Sequence, residues 1–121
     1  MGDREVDQQL VERVQGGDKH AFDLLVIKYQ RKLARLLSQF IRDSAEVEDV
    51  TQEAFVKAYR ALPSFRGDSA FYTWLYRIGI NTAKQRTRRT IEDAIGIIRS
   101  EIVNFLLPLF STTFCNSAFF F

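Results

Sequence analysis

At 121 residues, 46% of them hydrophobic and 26% charged, the chain suits one globular domain with a modest core and is too short for two. A single cysteine, Cys115, excludes an internal disulfide framework, and a single histidine, His20, excludes a Cys/His metal cluster, so no metal or cofactor is expected. The net charge of +2 averages over blocks of opposite sign, and the charged opening Met1-Gly2-Asp3-Arg4-Glu5 is no secretory signal, which makes the cytoplasm the expected compartment.

Apolar residues recur at three- and four-residue steps and never alternate as a strand requires, which predicts an all-α fold, a compact bundle of about four helices. Val6, Leu10, Val11 and Val14 form a short first stripe that stops at Gly16-Gly17. Asp18 can cap the second and longest helix, with Phe22, Leu25, Val26, Tyr29, Leu33, Leu36, Leu37 and Phe40 inward and His20 on the surface. Asp43 or Ser44 caps a third, with Val47, Val50, Ala54, Ala58 and Leu62 inward, and Pro63 closes it because proline cannot continue the hydrogen-bond ladder. After a loop from Pro63 to Asp68, in which Gly67 suits a tight turn, Asp68 or Ser69 opens a fourth helix. Its inner stripe is Phe71, Leu75, Ile78 and Thr82, and it extends to about Arg89.

Composition then changes, dividing a domain over 1–90 from a hydrophobic tail over 91–121. Ile91, Ile95, Ile98, Ile102 and Phe105 predict a short helix, interrupted by Pro108 and Ser111-Thr112-Thr113. From Ile102 onward no residue is charged, so this stretch of twenty reaches the length of a membrane span, while Asn104, Pro108 and Asn116 count against one. The tail reads as an unrelated extension of a truncated or fused gene, with a membrane or partner anchor as the alternative.

Charge falls in blocks. Asp43, Glu46, Glu48, Asp49 and Glu53 stand within eleven residues that hold no base. From Ala54 to Arg89, Lys57, Arg60, Arg66, Arg77, Lys84, Arg86, Arg88 and Arg89 face Asp68 alone, which suggests that the two surfaces meet different partners. The basic block also contains Phe65, Phe71, Tyr72, Trp74 and Tyr76, and cations with aromatic faces suit unstacked nucleic acid. With Trp74 at zero and about 100° per residue, Asn81, Arg88, Arg77 and Lys84 fall between about −20° and −80°, beside the apolar stripe. One narrow face thus offers stacking, amide hydrogen bonding and phosphate contacts. The plainer arrangement puts Trp74 in the core and leaves the cations solvated.

The stretches Asp49-Val-Thr-Gln-Glu-Ala-Phe-Val-Lys-Ala-Tyr-Arg-Ala-Leu62 and Ser64-Phe-Arg-Gly-Asp-Ser-Ala-Phe-Tyr-Thr-Trp-Leu-Tyr-Arg-Ile78, then Asn81-Thr-Ala-Lys84, closely resemble region 2 of extracytoplasmic-function sigma factors, the sigma-E type above all. Gln9-Leu-Val-Glu-Arg-Val-Gln15 and Lys28-Tyr-Gln30 fit the same family, so the resemblance covers about residues 5 to 84. It implies that the acidic third helix binds the β′ coiled coil of core RNA polymerase, with Asp49, Gln52 and Glu53 at the contact positions. It further implies that the loop Pro63 to Ala70, through Phe65 and its backbone, captures a base flipped from the non-template strand of the promoter minus-ten element. Lys57, Ala61, Arg77 and Asn81 would line or flank that pocket, Tyr72, Trp74 and Tyr76 would hold the melted strand, and Arg66 and Lys84 complete the DNA-binding set.

By the same resemblance the chain is a non-catalytic initiation factor of an envelope or extracytoplasmic stress response, sequestered by an anti-sigma factor that covers its polymerase-binding face. Nothing resembles an activated nucleophile, a P-loop or a metal site. Family members continue into region 4, which reads the minus-thirty-five element, and no stretch after Lys84 resembles it. The expectation is a chain that binds core polymerase yet initiates poorly on intact duplex. The alternative is an interaction or membrane-associated fragment that keeps the fold without promoter function.

Overall fold

The computed structural model describes residues 2–113, with side chains through Arg99. Its order is α1 (Asp3–Gln15), α2 (Lys19–Leu37), α3 (Ser44–Ala61), a 3-10 turn over Leu62–Ser64, and α4 (Phe71–Thr113), with no strand among the described residues. Contacts divide the chain into Met1–Arg86, which contains the bundle, and Thr87–Phe121.

The helix boundaries follow local chemistry. α1 ends where Gly17 adopts φ +105°, a left-handed conformation that glycine enters without steric cost. Asp18 then caps α2, accepting a hydrogen bond from the His20 backbone N–H at 3.1 Å and the Arg13 guanidinium at 2.6 Å. The Arg13 hydrogen bond holds the Asp18 carboxyl below its ordinary pKa. Asp43, rather than Ser44, caps α3 by accepting from the Ala45 N–H at 3.1 Å.

Val11, Leu25, Leu33, Leu37, Val50, Leu62 and Leu75 are almost wholly removed from water and form the centre of the core. The two buried threonine hydroxyls are satisfied locally, Thr51 donating to the Val47 carbonyl and Thr82 to that of Ile78, each at 2.7 Å.

Three expectations are corrected. Phe40 is not part of the α2 stripe: the helix ends at Leu37, Phe40 turns back with its N–H on the Leu37 carbonyl, and the ring is 63% exposed. Neither Asp68 nor Ser69 caps α4, which starts at Phe71 and sets the Trp74 N–H on the Ala70 carbonyl at 3.1 Å. Nor does α4 stop near Arg89 and restart as a short helix: it runs unbroken to Thr113, through the expected interruption at Pro108. Between Thr90 and Arg99 the sole breaker is Gly96, which costs about 1 kcal/mol relative to alanine, too little by itself to end the helix. Ile91, Ile95, Ile97 and Ile98 are exposed on this continuation. The uncharged stretch from Ile102 lies outside the residues whose side chains are described; among the described residues no helix is long and apolar enough to cross a membrane.

Candidate functional site

The loop between α3 and α4 is built by its neighbours more than by itself. Its 3-10 turn is closed by Ser64, whose hydroxyl donates to the Ala61 carbonyl at 2.7 Å. From α1, the Gln15 amide donates to the carbonyls of Leu62 at 3.0 Å and Phe65 at 2.9 Å, pinning both ends of the segment that carries the phenylalanine. Gly67 adopts φ +81°, and a Cβ there would meet the Gln8 amide at 3.5 Å. The sequence offered no signal for Gln15 as a loop support, since a polar residue on an exposed helix face reads as solvated until the fold brings a partner to it.

Phe65 is half-buried against Trp74, ring centroids 4.8 Å apart, and meets Phe71 edge-on at 6.4 Å. The rings continue from Phe71 to Tyr29 at 5.9 Å, then to Tyr72 at 5.1 Å and to Tyr76 at 6.5 Å, the last two contacts stacked. Trp74, Tyr72 and Tyr76 are therefore partly packed on the core and partly open to solvent, an intermediate between core residues and a free stacking platform. Lys32 of α2 lies 4.3 Å from the Tyr72 ring centroid. The Tyr72 hydroxyl is buried without a hydrogen-bond partner among the described residues, and burial pushes its pKa up.

Along α4 the helical-angle reading agrees with exposure: Phe71, Leu75 and Thr82 are buried and Ile78 half-buried, while Arg77, Asn81 and Lys84 stand in solvent on the Trp74 side. Arg66 is exposed in the loop, and Ala61 is half-buried at the end of α3. Arg77, Asn81 and Lys84 thus share one polar and cationic face of α4 with Trp74, chemistry suited to phosphates and base edges together.

On α3, Asp49 and Gln52 are exposed and Glu53 is half-buried. The acidic and basic blocks touch at one point. The Arg86 guanidinium of α4 reaches Glu46 at 3.8 Å, Asp49 at 3.5 Å and Glu53 at 3.6 Å. Lys57 joins the same cluster, 3.5 Å from Glu53 and donating to Gln85 at 3.0 Å. Lys57 is thus anchored at the edge of the acidic face. Among the described residues no group of His, Cys, Asp or Glu is arranged to hold a metal ion.

Comparison with known proteins gives consistent matches. Residues 25–91 match the family described as Sigma-70 region 2. An RNA polymerase sigma-H factor of Pseudomonas aeruginosa is 72% identical over 81 residues, 67% of this chain and 42% of that protein. An ECF RNA polymerase sigma-E factor of Escherichia coli K12 is 66% identical over 84 residues, 69% of this chain and 44% of that protein. The chain thus spans less than half the length of these relatives. Among solved structures, an engineered region 2 of sigmaE in complex with GTAAAA, determined by NMR, superposes with TM-score 0.66 at 55% identity, covering 74% of this chain and 93% of that one. CnrH in complex with the cytosolic domain of CnrY gives TM-score 0.62 at 33% identity, covering 78% and 63%.

Proposed function

The chain belongs to the sigma-70 region 2 family, and on that premise we propose that it binds core RNA polymerase through α3 and recognises and melts the promoter minus-ten element through the Phe65 loop and α4. One observation carries the reading: a loop pinned by Gln15 presents Phe65 against Trp74, beside exposed Arg77, Asn81 and Lys84. The GTAAAA complex of the sigmaE region 2 relative supports it.

Extruding a base costs a few kcal/mol of stacking and pairing, and a preformed pocket returns that cost selectively for the base that fits. The half-buried aromatics meet the unstacked bases, Asn81 supplies an amide for a base edge, and Arg66, Arg77 and Lys84 neutralise phosphates. Sequence is read in the act of opening, and no covalent step is required of the chain. Core polymerase, through its β′ coiled coil, takes the face formed by Asp49, Gln52 and Glu53. An anti-sigma factor of the same signalling system covers that face when initiation is shut off; the CnrH neighbour is likewise held by a protein partner, the cytosolic domain of CnrY. Cytoplasmic action in an envelope stress response completes the reading, in keeping with the sigma-E relatives.

Affinity for single strands measured by fluorescence anisotropy tests this directly. Phe65→Ala and Asn81→Ala are each expected to weaken binding to a minus-ten strand by about tenfold, on the scale of one stacking or base-edge contact, while changing an unrelated strand of equal length much less. Equal losses on both strands would reduce the site to generic single-strand binding.

A further inference from the structure

Arg86 is the one described side chain from α4 that ion-pairs with the acidic face of α3, reaching Glu46, Asp49 and Glu53 within 3.5–3.8 Å. It lies within the matched family region, residues 25–91, but two residues beyond Lys84, where the stretches that carry the sigma-E-type resemblance end, so no role for it is carried over. Two of its three carboxylates, Asp49 and Glu53, belong to the proposed polymerase contact. From this geometry we propose that Arg86 is an affinity-setting residue that competes with core polymerase for the acidic face. The proposal rests on the reading of α3 as the polymerase-binding helix.

The physical case is one of charge and access. A carboxylate face recognises a partner through the partner's cations, and long-range attraction between them raises the association rate. Arg86 adds a positive charge within the face, lowering the field that an approaching basic surface experiences. Its guanidinium also stands beside the carboxylate acceptor oxygens of Asp49 and Glu53 that a partner's cation would take. The contacts are long and sit at a surface where Arg86, Glu46 and Glu53 side chains are each about one-third exposed, at 36%, 38% and 33%. Such pairs are individually weak, so the guanidinium tunes the face and does not lock it. Lys57, 3.5 Å from Glu53, acts in the same direction on one carboxylate only.

Titration of the full chain against core RNA polymerase, by competition and by stopped-flow association at several salt concentrations, tests the proposal. Arg86→Gln, and Arg86→Met with its similar aliphatic stem, are expected to bind about three- to tenfold more tightly at low salt. The gain should reside in the association rate and shrink as salt screens the field. Arg86→Lys keeps the charge and is expected to stay within about twofold of the parent. Asp49→Arg and Glu53→Arg are measured alongside. If these reversals abolish capture while Arg86→Gln and Arg86→Met bind no more tightly than the parent, competition by Arg86 is overturned and the α3 reading stands. If the reversals leave capture unchanged, the α3 reading falls and the proposal falls with it.

Discussion

Asp49→Arg is expected to lower the affinity of the chain for core RNA polymerase by about 100-fold, and Glu53→Arg by a similar factor. Placing a like charge against a basic surface costs several kcal/mol where the contact is close, and about 2.7 kcal/mol corresponds to 100-fold. Asp49 is the cleaner probe. Its side chain is 61% exposed and, among the described residues, it ion-pairs with Arg86 at 3.5 Å, so reversal leaves the core untouched. Glu53 is 33% exposed and pairs with both Lys57 and Arg86, so Glu53→Arg also sets three cations against one another and must be checked for folding by circular dichroism. Glu48 provides the internal control, being an exposed acid of the same helix outside the proposed contact set. Glu48→Arg is expected to cost less than about fivefold, the share of a general field and not of a defined contact. Equal losses for Asp49→Arg and Glu48→Arg would mean that α3 attracts polymerase by net charge alone. Unchanged binding by Asp49→Arg and Glu53→Arg would remove the contact.

The elements of this fold that rest on local chemistry were legible in the sequence. Asp18 and Asp43 cap helices because their short carboxylates reach free backbone N–H groups two residues on, and Gly17 and Gly67 lie where the chain needs positive φ. The polar side of α4 was legible because 100° per residue fixes which side chains share a face. What escaped were polar contacts between elements far apart in the chain. Gln15 meets carbonyls about fifty positions away, and Arg86 meets acids of another helix; periodicity carries no trace of either. The extent of α4 escaped for the converse reason, since a change of composition was read as a break in structure although nothing between Thr90 and Arg99 obliges a helix to stop. Asp7 was missed: Val6 was read as inward, yet Val6 is 36% exposed and Asp7 is buried beside it. Asp7 lies four residues before Val11 and seven before Val14, on the inward stripe of α1, and a carboxylate in that register calls for a buried partner.

Asp7→Ala is expected to destabilise the bundle by about 2–4 kcal/mol, the cost of leaving buried donors without their acceptor. Asp7 is 5% exposed, and its carboxylate accepts from the Tyr29 hydroxyl and from the Lys28 ammonium, the latter at 2.7 Å. Lys28 has a second carboxylate, Asp3, at 3.2 Å, but Asp3 is 89% exposed and cannot replace a buried partner. For a domain of this size the loss corresponds to a melting temperature lower by roughly 10–25 °C. Asp7→Asn retains an acceptor for Tyr29 and is expected to lose about half as much. Asp7→Ala combined with Tyr29→Phe should recover part of the deficit, because the orphaned hydroxyl is gone.

The same triad sets an alkaline limit. Burial, then the hydrogen bond to Asp7, pushes the Tyr29 pKa up from 10.0 to about 12. Burial works against the Lys28 charge, yet its hydrogen bonds to Asp7 and Asp3 raise its pKa above the ordinary value. Both groups are raised in the folded state, so their contribution is fully present below about pH 10 and is lost as pH climbs toward 12 and beyond. Thermal melts followed by circular dichroism from pH 7 to 12 should show the parent losing stability over that window and Asp7→Ala losing much less. The consequence reaches function through α1, which Asp7 ties to α2 and whose Gln15 pins the Phe65 loop. Well below its melting temperature, Asp7→Ala should therefore keep polymerase capture by α3 while its preference for the minus-ten strand weakens. A variant that melts within about 2 °C of the parent would show that the triad contributes little, and an undiminished strand preference would show that the loop holds its shape without α1.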